Sequence, residues 1–126
     1  MTKTAIQSSK LAPAAGPFSQ AIRTDGYIFF SGQIGQDPAT GKLVAGGVVA
    51  EAERVFLNLA AVLEAAGKSF DDVVRVGVFL TNIGDFATVN GIYAKHFAQP
   101  YPARTTVAVA ALPLGASVEI ELVAAA

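Results

Sequence analysis

Arg104, followed along the chain by the alternating pair Glu119 and Glu121, is the residue set with the most chemical potential in this sequence. A guanidinium presents parallel N–H donors that fit a carboxylate, and a nearby carboxylate could orient a water or take its proton. Both positions fall in runs that read as strands, where side chains alternate between faces. Arg104, Thr106, Ala108 and Ala110 then share one face of their strand. Ser117, Glu119 and Glu121 share one face of the last strand, and Val118, Ile120 and Leu122 share the other. If the two strands are neighbours, the charges form either a surface ion-pair ladder or an anion-binding cleft with a carboxylate to handle water. The pattern alone leaves both open.

Other chemistries are narrowed by the inventory. The chain has 126 residues, no Cys and one His. That removes disulfides, thiolate nucleophiles and Cys-based zinc or iron–sulfur sites, and His96 alone cannot build a multi-imidazole zinc centre. An all-carboxylate Mg²⁺ or Ca²⁺ site is not excluded by counting. His96 falls near the end of a predicted helix, where the last carbonyls account for it. No Gly-x-Ser-x-Gly elbow, dinucleotide fingerprint or P-loop is present. A net charge of −1 with scattered Lys and Arg offers no footprint for nucleic acid, and no uncharged stretch reaches a membrane span without Pro or Gly, so the cytosol is the expected location.

The elements that must position these residues form one domain over residues 1–126. Thr4–Gln7 reads as a short edge strand, followed by a Pro- and Gly-rich loop. Gln20–Thr24 and Tyr27–Ile34 flank Asp25-Gly26, which predicts a type I′ hairpin. From Val48 to Ala66, residues Val48, Ala52, Val55, Phe56, Leu59, Val62 and Leu63 recur at helical spacing, with Glu51, Glu53, Arg54 and Asn58 largely off that stripe and Gly67 as the stop. Val73–Thr81 reads as a strand buried on both faces. A second helix, capped by Asp85 or Asn82, runs to about Ala98 with Phe86, Val89, Tyr93 and Phe97 inward. Arg104–Ala111 and Ser117–Val123 are the last strands. The order gives an α+β sandwich with helices on one sheet face. Its other face stays apolar and uncovered, in keeping with a chain only 15% charged where about 25% is usual. Part of the chain's apolar excess is Ala, 24 residues.

Five segments carry a resemblance. Gly16-Pro17-Phe18-Ser19-Gln20-Ala21, Ser31-Gly32-Gln33-Ile34, Asp85-Phe86-Ala87-Thr88-Val89-Asn90, Tyr101-Pro102-Ala103-Arg104 and Val118-Glu119-Ile120-Glu121 are similar, in order and spacing, to those of the RidA/YjgF family of reactive-intermediate imine deaminases. The resemblance implies a chorismate-mutase-like α+β subunit, a mixed β-sheet covered on one face by two helices. It further implies a homotrimer whose sheets form a central barrel, with ligand clefts between subunits. The implied activity is hydrolysis of 2-iminobutanoate and 2-iminopropanoate, imino acids arising from enamines released by pyridoxal-phosphate enzymes, to 2-keto acids and ammonia. No metal or organic cofactor is implied.

Carried onto this chain, the resemblance has Arg104 grip the substrate carboxylate and Glu119 orient or deprotonate the attacking water, with Glu121 the weaker candidate. Ser31 and Gly32 match the cleft wall, where a hydroxyl and a backbone N–H would hold ligand; Gly16-Pro17-Phe18 forms another wall. Asn90 matches a helical Asn of the substrate-binding set, although an Asn in a helix more often braces backbone. Two positions of the implied substrate-binding set depart from the family: Phe18 stands where Tyr is frequent, and Thr106 where some bacterial members carry Cys. The competing expectation is a non-catalytic trimer that binds small carboxylates such as 2-keto acids, or regulates a partner.

Overall fold

The computed structural model describes residues 2–126. Six strands form one mixed sheet: β1 (Thr4–Ile6), β2 (Ala21–Arg23), β3 (Tyr27–Gln33), β4 (Val73–Leu80), β5 (Ala103–Ala108) and β6 (Val118–Ala125). Two helices, α1 (Gly47–Ala65) and α2 (Phe86–Tyr93), follow β3 and β4. The strand order is β1-β2-β3-β6-β4-β5. Only β4 and β5 pair in parallel, and α2 lies in the crossover that a parallel pair requires.

Alternation sets which face is sealed. Ile28, Phe30, Val76, Val78, Leu80, Val118, Ile120 and Leu122 are buried on the helix side. Against them α1 turns Ala52, Val55, Phe56, Leu59, Val62 and Leu63. Fully burying side chains of this size stabilises by roughly 1.5–3 kcal/mol each. Helix α1 packs so closely that a Cβ on Gly35 would lie 2.7 Å from the Glu51 Cα. Its end is a Schellman motif: Gly67, at φ 72°, donates to the Glu64 carbonyl and Lys68 to that of Leu63.

The sheet's second face has no helix. Tyr27 and Phe29 are each about half exposed there, and Val107, Glu119 and Glu121 share it. The expectation that β4 is buried on both faces is therefore corrected: Val76, Val78 and Leu80 are sealed, whereas Arg75 is exposed and Gly77 and Phe79 only half-buried. Both helices pack on one side, and among the described residues no helix covers the other.

Three local expectations also change. Only Gly26 of the hairpin turn takes a positive φ, 81°, so the turn is not type I′; Asp25 has a Cβ and avoids the left-handed region. Helix α2 stops at Tyr93, short of Ala98, and gives way to tighter bonds from Lys95 to Ile92 and from His96 to Tyr93. Asn82 caps not α2 but the single 3₁₀ turn Ile83–Asp85 before it, accepting from Gly84 N at 2.9 Å, and Asp85, which directly precedes α2, makes no side-chain cap bond. Glu51 and Asn58, placed off the apolar stripe, are buried because each serves backbone: Glu51 Oε1 accepts from Ser117 N at 2.7 Å, and Asn58 Nδ2 donates to the carbonyls of Ile34 and Gln36.

Candidate active site

Glu119 stands on β6 opposite Phe79 of β4 and projects from the uncovered face over Gly32. A Cβ at Gly32 would come within 2.8 Å of Glu119 Oε2, so the glycine leaves the room in which the carboxylate lies. Gly77 does the same for Glu121, whose Cγ would be 2.9 Å from an added Cβ. Burial, and then the like charge of Glu121, push the Glu119 pKa above the ordinary carboxylate value. A carboxylate so raised is a stronger base than one in water.

The cleft beside Glu119 has a volume of about 410 Å³ and apolar walls that include Leu11, Pro13, Phe18, Pro113 and Leu114. Polar side chains buried behind these walls hold them. Gln20 accepts from Ser8 N at 2.7 Å and donates to the Ala12 carbonyl at 3.2 Å, fixing the loop before β2. Ser31 donates its hydroxyl proton to the Ser19 carbonyl at 2.6 Å, so that donor is engaged in joining β3 to the segment bearing Phe18. Leu114 occupies φ 58°, a left-handed conformation strained for a branched residue, and stands exposed at the cleft wall.

Arg104 lies elsewhere. Strand β5 pairs with β4 so that Arg104 is level with Val76 and Thr106 with Val78, both of which point toward the helices. Glu119 is level with Phe79, in the opposite phase. Arg104 and Glu119 therefore project from opposite faces of one sheet, and β4 separates their strands. Neither the ion-pair ladder nor a cleft built from both within one chain survives this placement; strand alternation sets the phase inside each strand but not between strands.

Around Arg104 a second, shallower cleft of about 260 Å³ is lined by Asn90, Tyr93, Ala94, Tyr101 and Pro102. The guanidinium carbon sits 4.7 Å from the Tyr93 ring centroid and 5.4 Å from that of Phe86. Burial raises the Tyr93 pKa, and the neighbouring Arg104 opposes the rise. Asn90 makes no side-chain hydrogen bond among the described residues and so braces no backbone group; it faces this cleft. Thr106 lines neither cleft, and its hydroxyl is buried without a partner. His96 stacks on Phe56 with ring centroids 4.3 Å apart, which replaces the helix-end role expected for it. Burial and then Lys95 lower its pKa.

Phe18, Gly32 and Glu119 thus come together on one cleft, Asn90 and Arg104 on the other, with Ser31 behind the first. Tyr93, Leu114, Gln20 and Asn58 are site-supporting residues that the sequence reading missed. The spacing of Phe86, Asn90 and Tyr93, on one face of α2, was an available signal for the first of these. Among the described residues no group of three or more His, Asp or Glu side chains could hold a metal ion, and no helix is long and apolar enough to cross a membrane.

A family model described as Endoribonuclease L-PSP matches residues 9–126. Protein DfrA of Myxococcus xanthus is 52% identical over 126 residues, covering 98% of this chain and 96% of its own. The Homo sapiens protein named 2-iminobutanoate/2-iminopropanoate deaminase is 47% identical over 124 residues, covering 98% of this chain and 90% of its own. The crystal structure of RidA from the Antarctic bacterium Psychrobacter superimposes with a TM-score of 0.92 at 45% identity, covering 98% of this chain and 99% of that one. The mixed sheet with two helices on one face is shared with such structures, and the chain belongs to the RidA/YjgF family.

Proposed function

We propose that this protein is an imine deaminase that hydrolyses 2-iminobutanoate and 2-iminopropanoate to the 2-keto acid and ammonia. The observation that carries the reading is the state of Arg104. Of four arginines it alone makes no side-chain hydrogen bond of ordinary geometry among the described residues, although it lies close enough to the Tyr93 phenol to oppose the rise in its pKa: Arg23 donates to the Ala66 carbonyl, Arg54 to Asn58 and Arg75 to Thr105. A guanidinium held beside a cleft with its donor edge unspent is suited to a substrate carboxylate.

The chemistry then needs water delivered to the imine carbon. Glu119, with its raised pKa, accepts a proton as water adds to that carbon, and the tetrahedral carbinolamine forms. Glu119 returns that first proton to the nitrogen to complete the neutral carbinolamine, and a second transfer, from the new hydroxyl by way of Glu119 to the amine, lets ammonia leave as the C=O bond forms. Water supplies the oxygen, and the reaction as written consumes no cofactor. Because Arg104 and Glu119 face opposite ways, the reacting site is completed between two copies, the Arg104 face of one subunit meeting the Glu119 face of the next. A homotrimer whose uncovered sheet faces pack together as a barrel would meet this need and bury Tyr27, Phe29 and Val107. The cytoplasm, where dehydratases would release the substrate, is the proposed setting. RNA cleavage, which the family model's description names, finds little support in a chain of net charge −1.

The test is decay of 2-iminobutanoate generated in situ by a threonine dehydratase, with and without the purified protein, alongside its mass in solution. We expect clear acceleration and a mass of three 12.9 kDa chains. Decay no faster than in buffer would overturn the enzyme reading, and if 2-oxobutanoate still bound saturably the protein would be a small-carboxylate binder, a reading kept in view by the missing hydroxyl at Phe18. A monomer would overturn the shared site.

A further inference from the structure

We infer that Tyr93, with Phe86, is a positioning residue for Arg104: an aromatic clamp that holds the guanidinium by its face and so leaves its in-plane N–H donors for the substrate carboxylate. This rests on the deaminase reading of the Arg104 cleft. A long flexible side chain must be fixed if it is to present two donors in register, and the usual means is a carboxylate partner. A carboxylate here would compete with the substrate for the same donors and cancel the charge that attracts it. Aromatic faces avoid both problems, because the ring quadrupole attracts the cation from above and uses none of its N–H groups.

The geometry is built for this. Phe86 and Tyr93 stand two turns apart on α2, and their rings lie 5.4 and 4.7 Å from the guanidinium carbon. Tyr93 is itself braced: it stacks on Phe97 at 4.4 Å and meets Phe56 edge-on at 6.1 Å, tying the clamp to the core. Its hydroxyl is buried without a partner in hydrogen-bond geometry, yet the guanidinium is near enough to oppose the rise in its pKa, so Tyr93→Phe is the variant that separates ring from phenol. The single ion pair among the described residues, Lys10–Glu64, is remote in sequence from this cluster.

The experiment measures dissociation constants for 2-oxobutanoate and for its uncharged amide, with KM and kcat on 2-iminobutanoate, in wild type, Tyr93→Leu, Tyr93→Phe, Phe86→Leu and Arg104→Ala. Tyr93→Leu should weaken acid binding about threefold to thirtyfold, the range that a cation–π contact spans. The loss should fall on the acid and not on the amide, raising KM more than it lowers kcat. Tyr93→Phe should restore acid binding to within about twofold, since the quadrupole is kept. Phe86→Leu, at a partly exposed ring, should show a smaller loss of the same kind and keeps the test valid if Tyr93→Leu fails to fold. The clamp is overturned if the leucine variants bind the acid as wild type does, if acid and amide weaken equally, if Tyr93→Phe is as impaired as Tyr93→Leu, or if wild type does not bind 2-oxobutanoate. Wild type that binds the acid without turning over the imine would sink the deaminase reading alone, and the binding data would still decide the clamp.

Discussion

Arg104→Ala is expected to lower kcat/KM for 2-iminobutanoate by at least about a hundredfold. Two charge-assisted hydrogen bonds are lost, each contributing about 1.5–3 kcal/mol, and each 1.4 kcal/mol is about tenfold. The loss should fall on activity more than on folding, because Arg104 packs on the Tyr93 and Phe86 rings and pairs with no carboxylate among the described residues. Arg104→Lys should fall between the two, since an ammonium keeps the charge but cannot reproduce the planar fork. The measurement is initial imine decay at several substrate concentrations, and an Ala variant as fast as wild type would remove Arg104 from the mechanism.

Glu119→Gln is expected to act on kcat, by about a hundredfold to ten-thousandfold, the range for removing a positioned general base. It should also separate inactivation from unfolding. The folded protein binds the Glu119 proton more tightly than the unfolded chain does, so ionising this group opposes folding. That penalty is absent below the unfolded pKa, grows as pH rises toward the raised folded value, and is constant above it. The Gln variant should therefore be at least as stable as wild type at neutral pH, and the two should converge in acid. Wild-type activity should rise with pH through the raised Glu119 pKa. Glu121→Gln removes the like charge and should move that limb to lower pH while activity persists. The reverse result, an inactive Glu121→Gln and an active Glu119→Gln, would transfer the base to Glu121.

The alternation of Val118 to Leu122 made the exposed phase of Glu119 legible from sequence, and the stripe from Ala52 to Leu63 made α1 legible, because both are local periodicities. The resemblance named Phe18, Gly32 and Glu119, which the structure brings to one cleft, and Asn90 and Arg104, which it brings to another. What local pattern could not supply was how elements meet. Nothing between Arg104 and Glu119 in the sequence says that β4 inserts between their strands, or that β5 registers Arg104 with a core valine. Glu51 and Asn58 read as solvent-facing because their partners, Ser117 and the 34–36 backbone, are distant along the chain. Tyr93 read as core, which it is; that its ring has a second face turned to Arg104 follows only from tertiary packing.

The placement of Arg104 and Glu119 on opposite sheet faces gives two dead variants the means to repair each other. In a ring of three, each site would draw its arginine from one subunit and its glutamate from the neighbour. Arg104→Ala chains still carry the glutamate, and Glu119→Gln chains still carry the arginine. Unfolding the two together in equal amounts and refolding them as mixed rings should restore about a quarter of the sites, one for each neighbouring pair in which both native groups face each other. Refolded separately and then combined without exchange, the same chains should remain inactive. The capacity for complementation would thus be written into the sheet of the single chain, before any assembly is seen.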